Sequence, residues 1–401
     1  MDEAVYNLAR ILRQQALIAR AEMANAPDDG RASWASITPE TATPVETALR
    51  AVPAIAALEG KWYHLPTEGG LISFNAVAIY LLDRAQTIAA DAIVADLNRL
   101  ARERTVSLIE VRLVVGIRPT RVIDMGNGFS IAPPESAPIT DYSPILFSES
   151  NRPSHGWGAP PTAALVRRST ITLSFEPPPA SNSVPMVEPV TSENDWHAAL
   201  SACALASDAA PQFRQLYSVI DDVGWLGMRS NGLGDRQSFP IPETQATFFH
   251  EEKAASLFQK LRSAEKTIHL AIGRLISSRR RLSHEERALD LGTCVEILLM
   301  SGSKDNAEIS YKIATRAAWL AGKTPEDRLR CFKAARDLYA DRSLAAHTGS
   351  LKAARTMEEM TAMIERLRRS DNLCVDVITE LLDRGGLKAD QWVSIVLDLP
   401  E

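Results

Sequence analysis

No apolar run in the chain reaches the roughly 18 residues that a membrane-spanning helix needs. No membrane segment is therefore expected. Cysteine is scarce. Cys203, Cys294, Cys331 and Cys374 stand far apart and form no CxxC pair, which leaves neither a zinc ligand set nor a disulfide framework. Reduced thiols in the core are the expectation. There is no HExxH, and His64, His155, His197, His250, His269 and His284 form no close ligand set, so no metal and no cofactor are expected. The GxxxxGK[ST] pattern of a phosphate loop is missing, as are a GxGxxG after a strand and a GxSxG elbow. Nucleotide hydrolases, dinucleotide enzymes and hydrolases of those types lose their support. The acidic start, Met1-Asp2-Glu3, lacks the basic-then-apolar pattern of a signal peptide. A cytoplasmic protein is expected.

What remains is a chain of 401 residues, enough for two or three domains. The net charge of −6 argues against a protein that coats nucleic acid. The charge is uneven, however. From Thr247 to the end there are 25 basic and 23 acidic residues, and the preceding part holds the other 19 basic and 27 acidic ones. The C-terminal part is the better partner for an anion.

Periodicity divides the chain in the same place. Residues 2–24 and 74–104 read as helices. Val106 to Ile117 is rich in β-branched residues, and Gly126-Asn127-Gly128 forms a tight turn between Val122–Met125 and Phe129–Ala132. Arg167 to Phe175 alternates like one more strand. The proline-rich stretch Pro177 to Pro185 reads as a linker or rim loop, 193–218 as a helix, and Gly224 to Pro242 as a connection. From Thr244 onward the pattern is helical throughout: 244–262, 264–280, a helix opened by Ser283 to Glu286, another through Ile309, Ile313, Ala317 and Leu320, then 325–347 and 352–384. The apolar tail Trp392 to Leu399 is expected to dock back. The fold class expected is α+β, mainly α, with an α+β region over 1–190, a helical connection over 191–243 and an all-α unit over 244–401. The tract Arg279-Arg280-Arg281 could touch phosphate, but a solvated helix end is the expectation.

The chemistry concentrates near the end of the helix 325–347. Thr324 is its N-cap, Pro325 its first residue, and Gly349 is placed to close it. Arg342 and His347 lie about 140° apart around the axis. They flank a stripe of Phe332, Ala335, Tyr339 and Ala346, with small Ser343 and Ala346 between them. The spacing predicts a shallow floor with a fixed cation on one edge and a titratable base on the other.

Leu338-Tyr339-Ala340-Asp341-Arg342-Ser343 followed by His347 resembles the LYxxRSxxxH signature of the Apea-like group within the HEPN superfamily of helical RNA-cutting domains. Two upstream runs resemble the same family. Arg287 to Leu299 ends in the pattern Val295-Glu296-Ile297-Leu298-Leu299, and Ile309 to Ala318 carries Ser310-Tyr311 and Arg316-Ala317-Ala318. The resemblance covers roughly residues 245–385. It implies a helical bundle, a homodimer and RNA as partner, with cleavage that needs no metal and leaves a 2′,3′-cyclic phosphate. Carried onto these positions, His347 is the general base and Arg342 holds the scissile phosphate. Glu296 is a support for either, and Asp341 and Ser343 are further support candidates. Relatives serve as toxins in antiviral abortive infection, with a variable N-terminal region that senses or binds something. The rival reading is a non-catalytic helical module, or pseudoenzyme, that binds RNA, a nucleotide or a protein through the same groove.

Overall fold

The structure is a computed structural model and describes residues 2–25, 33–64, 69–138, 161–176, 192–220, 249–300, 308–386 and 391–396. The expected proline-rich linker and the connection Gly224 to Pro242 lie outside the described residues. The fold is α+β, mainly α, with its strands in the N-terminal half and helices after them. No described helix is long and apolar enough to cross a membrane.

An N-terminal helical layer comes first: α1 (Glu3–Ala24), α2 (Pro39–Arg50), α3 (Pro53–Ala56), α4 (Phe74–Arg84) and α5 (Ala90–Glu103). Asp2 caps α1 by accepting from the Ala4 amide, and Thr38 caps α2 ahead of Pro39. These helices bury Leu8, Leu12, Leu49, Ile55, Leu81 and Leu97 in one core of their own. The expected single helix over 74–104 is two. Gln86 breaks it by donating to the Leu82 carbonyl at 2.8 Å and to the Ala16 carbonyl of α1 at 3.1 Å. A side-chain cap tied to a neighbouring helix thus replaces the local helical continuation.

The strands follow. β1 (Trp62–His64) lies between β2 (Gly69–Leu71) and β7 (Phe175–Glu176) in a small sheet. The larger sheet has the order β4-β5-β6-β3-β8, built from β3 (Thr105–Val115), β4 (Ile123–Gly126), β5 (Phe129–Ala132), β6 (Ala163–Thr172) and β8 (Gln212–Ile220). All its pairings are antiparallel. The β4–β5 hairpin turns through Gly126, Asn127 and Gly128, all with positive φ, a backbone that glycine and asparagine tolerate best. β8 stands where the sequence suggested more helix. The helix α6 (Glu193–Leu205) stops before Ser207 and Pro211. The alternation of Phe213, Tyr217 and Val219 then pairs with β3, with a bulge opposite Leu113 and Val114.

One apolar core runs from the sheet into the C-terminal helices. Phe129 of β5 meets Trp196 of α6 with ring centroids 5.0 Å apart, and Phe258 of α7 (Glu251–Leu261) at 4.9 Å. Beside them the buried Arg112 of β3 stacks over Trp196 at 4.8 Å and over Phe213 at 4.9 Å, and pairs with Glu193. The core continues through α8 (Lys266–Arg280), α9 (His284–Met300), α10 (Ile309–Ala321), α11 (Pro325–Thr348) and α12 (Met357–Asp383). The short α13 (Gln391–Val396) docks back through Trp392, which lies against Arg316 of α10 with the guanidinium 4.9 Å from its ring.

Within the tract Arg279 to Arg281, Arg280 and Arg281 are exposed residues, but Arg279 is not a solvated helix-end cation. Arg279 is almost wholly buried and pairs with Asp371 of α12 at 2.7 Å. It also donates to the carbonyls of Ala204, Ser207 and Ala209. Arg280 donates to the Pro211 carbonyl at 2.8 Å, and Arg281 pairs with Asp290 at 2.8 Å. The carbonyls at the end of α6 and after it lack a full set of helical partners, and a guanidinium with five donors satisfies several at once. Arg279 and Arg280 serve the joint between sheet and bundle, and Arg281 ties α8 to α9 within the bundle.

Candidate functional site

The helix α11 forms as its caps dictate. The Thr324 hydroxyl accepts from the Asp327 amide at 3.1 Å, Pro325 takes the first position, and Gly349 closes the helix with φ at +68° while its amide bonds to Ala345. Its buried residues are Cys331, Ala335, Leu338 and Ala345. The packed stripe shares only Ala335 with the expected one and is otherwise turned by one residue along its length. Tyr339 is half-buried and Ala346 is exposed. α11 packs against both α9 and α10, and Leu338 and Ala345 are the residues that fill the seam. The expected floor of Ser343 and Ala346 is a half-buried serine beside an exposed alanine.

This rotation places Arg342 on the packed side of α11, in line with Leu338 and Ala345. Its side chain, 29% exposed, lies over Gly292 of α9 and ends at Glu296, with Nη2 donating to Oε2 at 2.9 Å. Gly292 is the reason the two helices can meet there. A Cβ at that position would come within 2.3 Å of Arg342 Cγ. A glycine inside a helix costs about 1 kcal/mol relative to alanine, and the close approach of Arg342 explains its presence. Sequence reading passed over Gly292, although an isolated glycine in a helical pattern is a signal of close packing. The guanidinium carbon also lies 5.9 Å from the centroid of the Tyr339 ring.

Glu296 and Arg342, two of the expected site residues, are thus brought together. Asp341 is engaged elsewhere: Arg366 of α12 holds it at 2.6 and 3.2 Å, a bidentate pair that fixes α11 against α12. His347 is exposed in the last turn of α11, about 140° around the axis from Arg342. It makes no hydrogen bond among the described residues. Within one chain the arrangement offers a braced, partly exposed cation and, on another side of the same helix, a solvent-accessible imidazole. Arg316 serves packing, donating to the Leu299 carbonyl at the end of α9, and burial lowers its pKa.

The four cysteines are buried and unpaired by disulfides. Among the described residues no group of three His, Cys, Asp or Glu side chains is placed to hold a metal ion. Compared with protein-family models, with curated proteins and with solved structures, the chain gives no match in any of the three.

Proposed function

We propose that the protein is a cytoplasmic endoribonuclease of the HEPN type, in which His347 and Arg342 cut RNA without a metal. The observation that carries this reading is the preparation of Arg342. Glu296 and Gly292 fix its course across α9 while leaving part of it open to solvent, as a cation waiting for a phosphate would need. His347 is exposed, and its imidazole is accessible as a general base. In the proposed reaction it takes the proton of a ribose 2′-hydroxyl. The 2′-oxygen then attacks phosphorus, Arg342 stabilises the developing charge, and the 5′-oxygen leaves with the proton returned by the imidazolium. The products are a 2′,3′-cyclic phosphate and a 5′-hydroxyl.

The angle between the two residues makes a homodimer part of the proposal. One helix cannot bring both groups to a single phosphate, whereas a twofold axis across the exposed end of α11 would set Arg342 of one chain near His347 of the other. The resemblance extends the reading to a toxin of abortive infection, with the N-terminal half restraining or targeting the cut.

The test is incubation of the purified full chain with single-stranded RNA, with and without EDTA, followed by end-group analysis. His347→Ala should remove about 10²–10⁴ of the rate with the helical circular dichroism unchanged. Arg342→Lys should fail as well, since lysine lacks the planar fork. Mixing Arg342→Ala with His347→Ala chains should restore part of the activity. Cutting that persists in folded His347→Ala protein, or that requires added magnesium, would refute the reading. A second reading, a non-catalytic RNA-binding helix, draws on the engagement of Arg342 by Glu296. It requires RNA binding without cleavage in the same assay.

A further inference from the structure

Two cavities of about 300 and 270 Å³ adjoin at the joint between the sheet unit and the bundle, and together they fall in the range of small-ligand sites. Asn372 and Asp376, one turn apart on α12, line both of them. The first cavity is completed by the end of α6 with His250 and Lys253. The second is bounded by Arg330 of α11 and Arg369 of α12. Arg330 lies about 18 Å along α11 from Arg342, so the groove is separate from the proposed cleavage site.

The polar groups of α12 here are poorly satisfied within the chain, while Arg330 on the rim is largely exposed and pairs with Asp327 at 2.8 Å. Neither Asp376 nor Asn372 makes a side-chain hydrogen bond among the described residues. The Asp376 carboxylate feels Lys253, Arg330 and Lys323 as cations and Glu380 as an anion, and desolvation by the groove walls still raises its pKa. A carboxylate in that situation gains most from a ligand that brings N–H donors. The rim supplies the opposite preference. Lys253, Arg330 and Arg369 offer three cations at the two ends, and two of them are guanidiniums whose forks match phosphate oxygens.

We infer that this groove binds a free guanosine monophosphate, with Asp376 and Asn372 reading the base and Arg330 and Arg369 holding the phosphate. Among the RNA bases, only guanine presents two adjacent N–H donors, N1–H and the 2-amino group, to a single carboxylate. Its neighbouring O6 accepts from an amide, which Asn372 supplies one turn away. Adenine and cytosine each place a ring nitrogen lone pair beside their amino group, and uracil flanks its N–H with two carbonyls. All three repel a carboxylate. In the cavity bounded by Arg330 and Arg369, Cys331, Ala334 and Leu373 provide the apolar wall. The inference stands independently of ribonuclease activity.

Isothermal titration of the full chain with GMP, AMP, CMP and UMP tests it. GMP should bind and the other three should bind at least about tenfold more weakly, the discrimination expected of a bidentate base contact. Asp376→Asn should lose GMP by a similar factor and prefer XMP, whose 2-oxo group accepts from the new amide. That reversal separates altered recognition from misfolding. Arg369→Ala should weaken GMP while leaving guanosine unchanged. Equal binding of GMP and AMP, no binding of GMP, or an Asp376→Asn chain that keeps GMP preference would each overturn the proposal. So would a guanosine-containing RNA that binds where GMP does not.

Discussion

Glu296 and Arg342 meet at 2.9 Å across the seam between α9 and α11, each about a quarter exposed. The contact spans two helices and fixes the one cation in which the proposed chemistry and the packing of the bundle coincide. Glu296→Ala would leave that cation partly buried and unpaired. Because both groups retain solvent, the expected loss is about 1–2 kcal/mol, read as a fall in the thermal midpoint. A double-mutant cycle with Arg342→Ala should return a coupling of about 1 kcal/mol. Additive single effects would show that the pair contributes nothing.

Gly292→Ala probes the same seam from beneath. Alanine gains about 1 kcal/mol of helix propensity, but its Cβ would press on Arg342 Cβ at 2.6 Å and Cγ at 2.3 Å. Overpacking costs about 1–3 kcal/mol, so the net expectation is a modest loss of stability with Arg342 displaced from Glu296. A variant more stable than the parent would mean the side chain moves aside freely. Chemical denaturation decides between them.

Arg279→Ala should be the most damaging single change among those considered. It removes a buried partner of Asp371 and the donors to three backbone carbonyls. Losing one member of a buried ion pair costs about 3–5 kcal/mol. Hydrogen exchange should show protection falling together in α6, α8 and α12, because the one guanidinium touches all three. Loss confined to α8 would contradict its role as the joint.

Asp376 gives a pH signature. Its pKa is raised on folding, first by desolvation. Between the unfolded and folded values the native chain therefore holds more protons than the unfolded one. Stability falls as pH rises through that window, and the deficit persists at neutrality. Asp376→Asn should raise the thermal midpoint at pH 7, and the gain should disappear below about pH 3.9, the unperturbed carboxyl range. A gain that is the same at pH 3 and pH 7 would assign it to something other than the charge.

The sequence by itself determined the local structure wherever local chemistry decides. Thr324, Pro325 and Gly349 set the ends of α11, and Gly126-Asn127-Gly128 set the β4–β5 turn through their positive φ. The shift from β-branched alternation to helical periodicity foretold an α+β, mainly α chain. The family resemblance offered Glu296 as a support for either Arg342 or His347, and folding set it against Arg342. Only tertiary structure decided the rest. Residues 212–220 became a strand because β3 offered an unpaired edge, which no local propensity records. The stripe of α11 was settled by what α9 and α10 present to it, so Leu338 and Ala345 went inside and Ala346 stayed out. Arg279 looked like a helix-end cation until the carbonyls after α6 and Asp371, distant in sequence, arrived around it. Periodicity fixes which residues share a face. Which face is buried, and which charge finds a partner, depends on neighbours that the chain brings together only on folding.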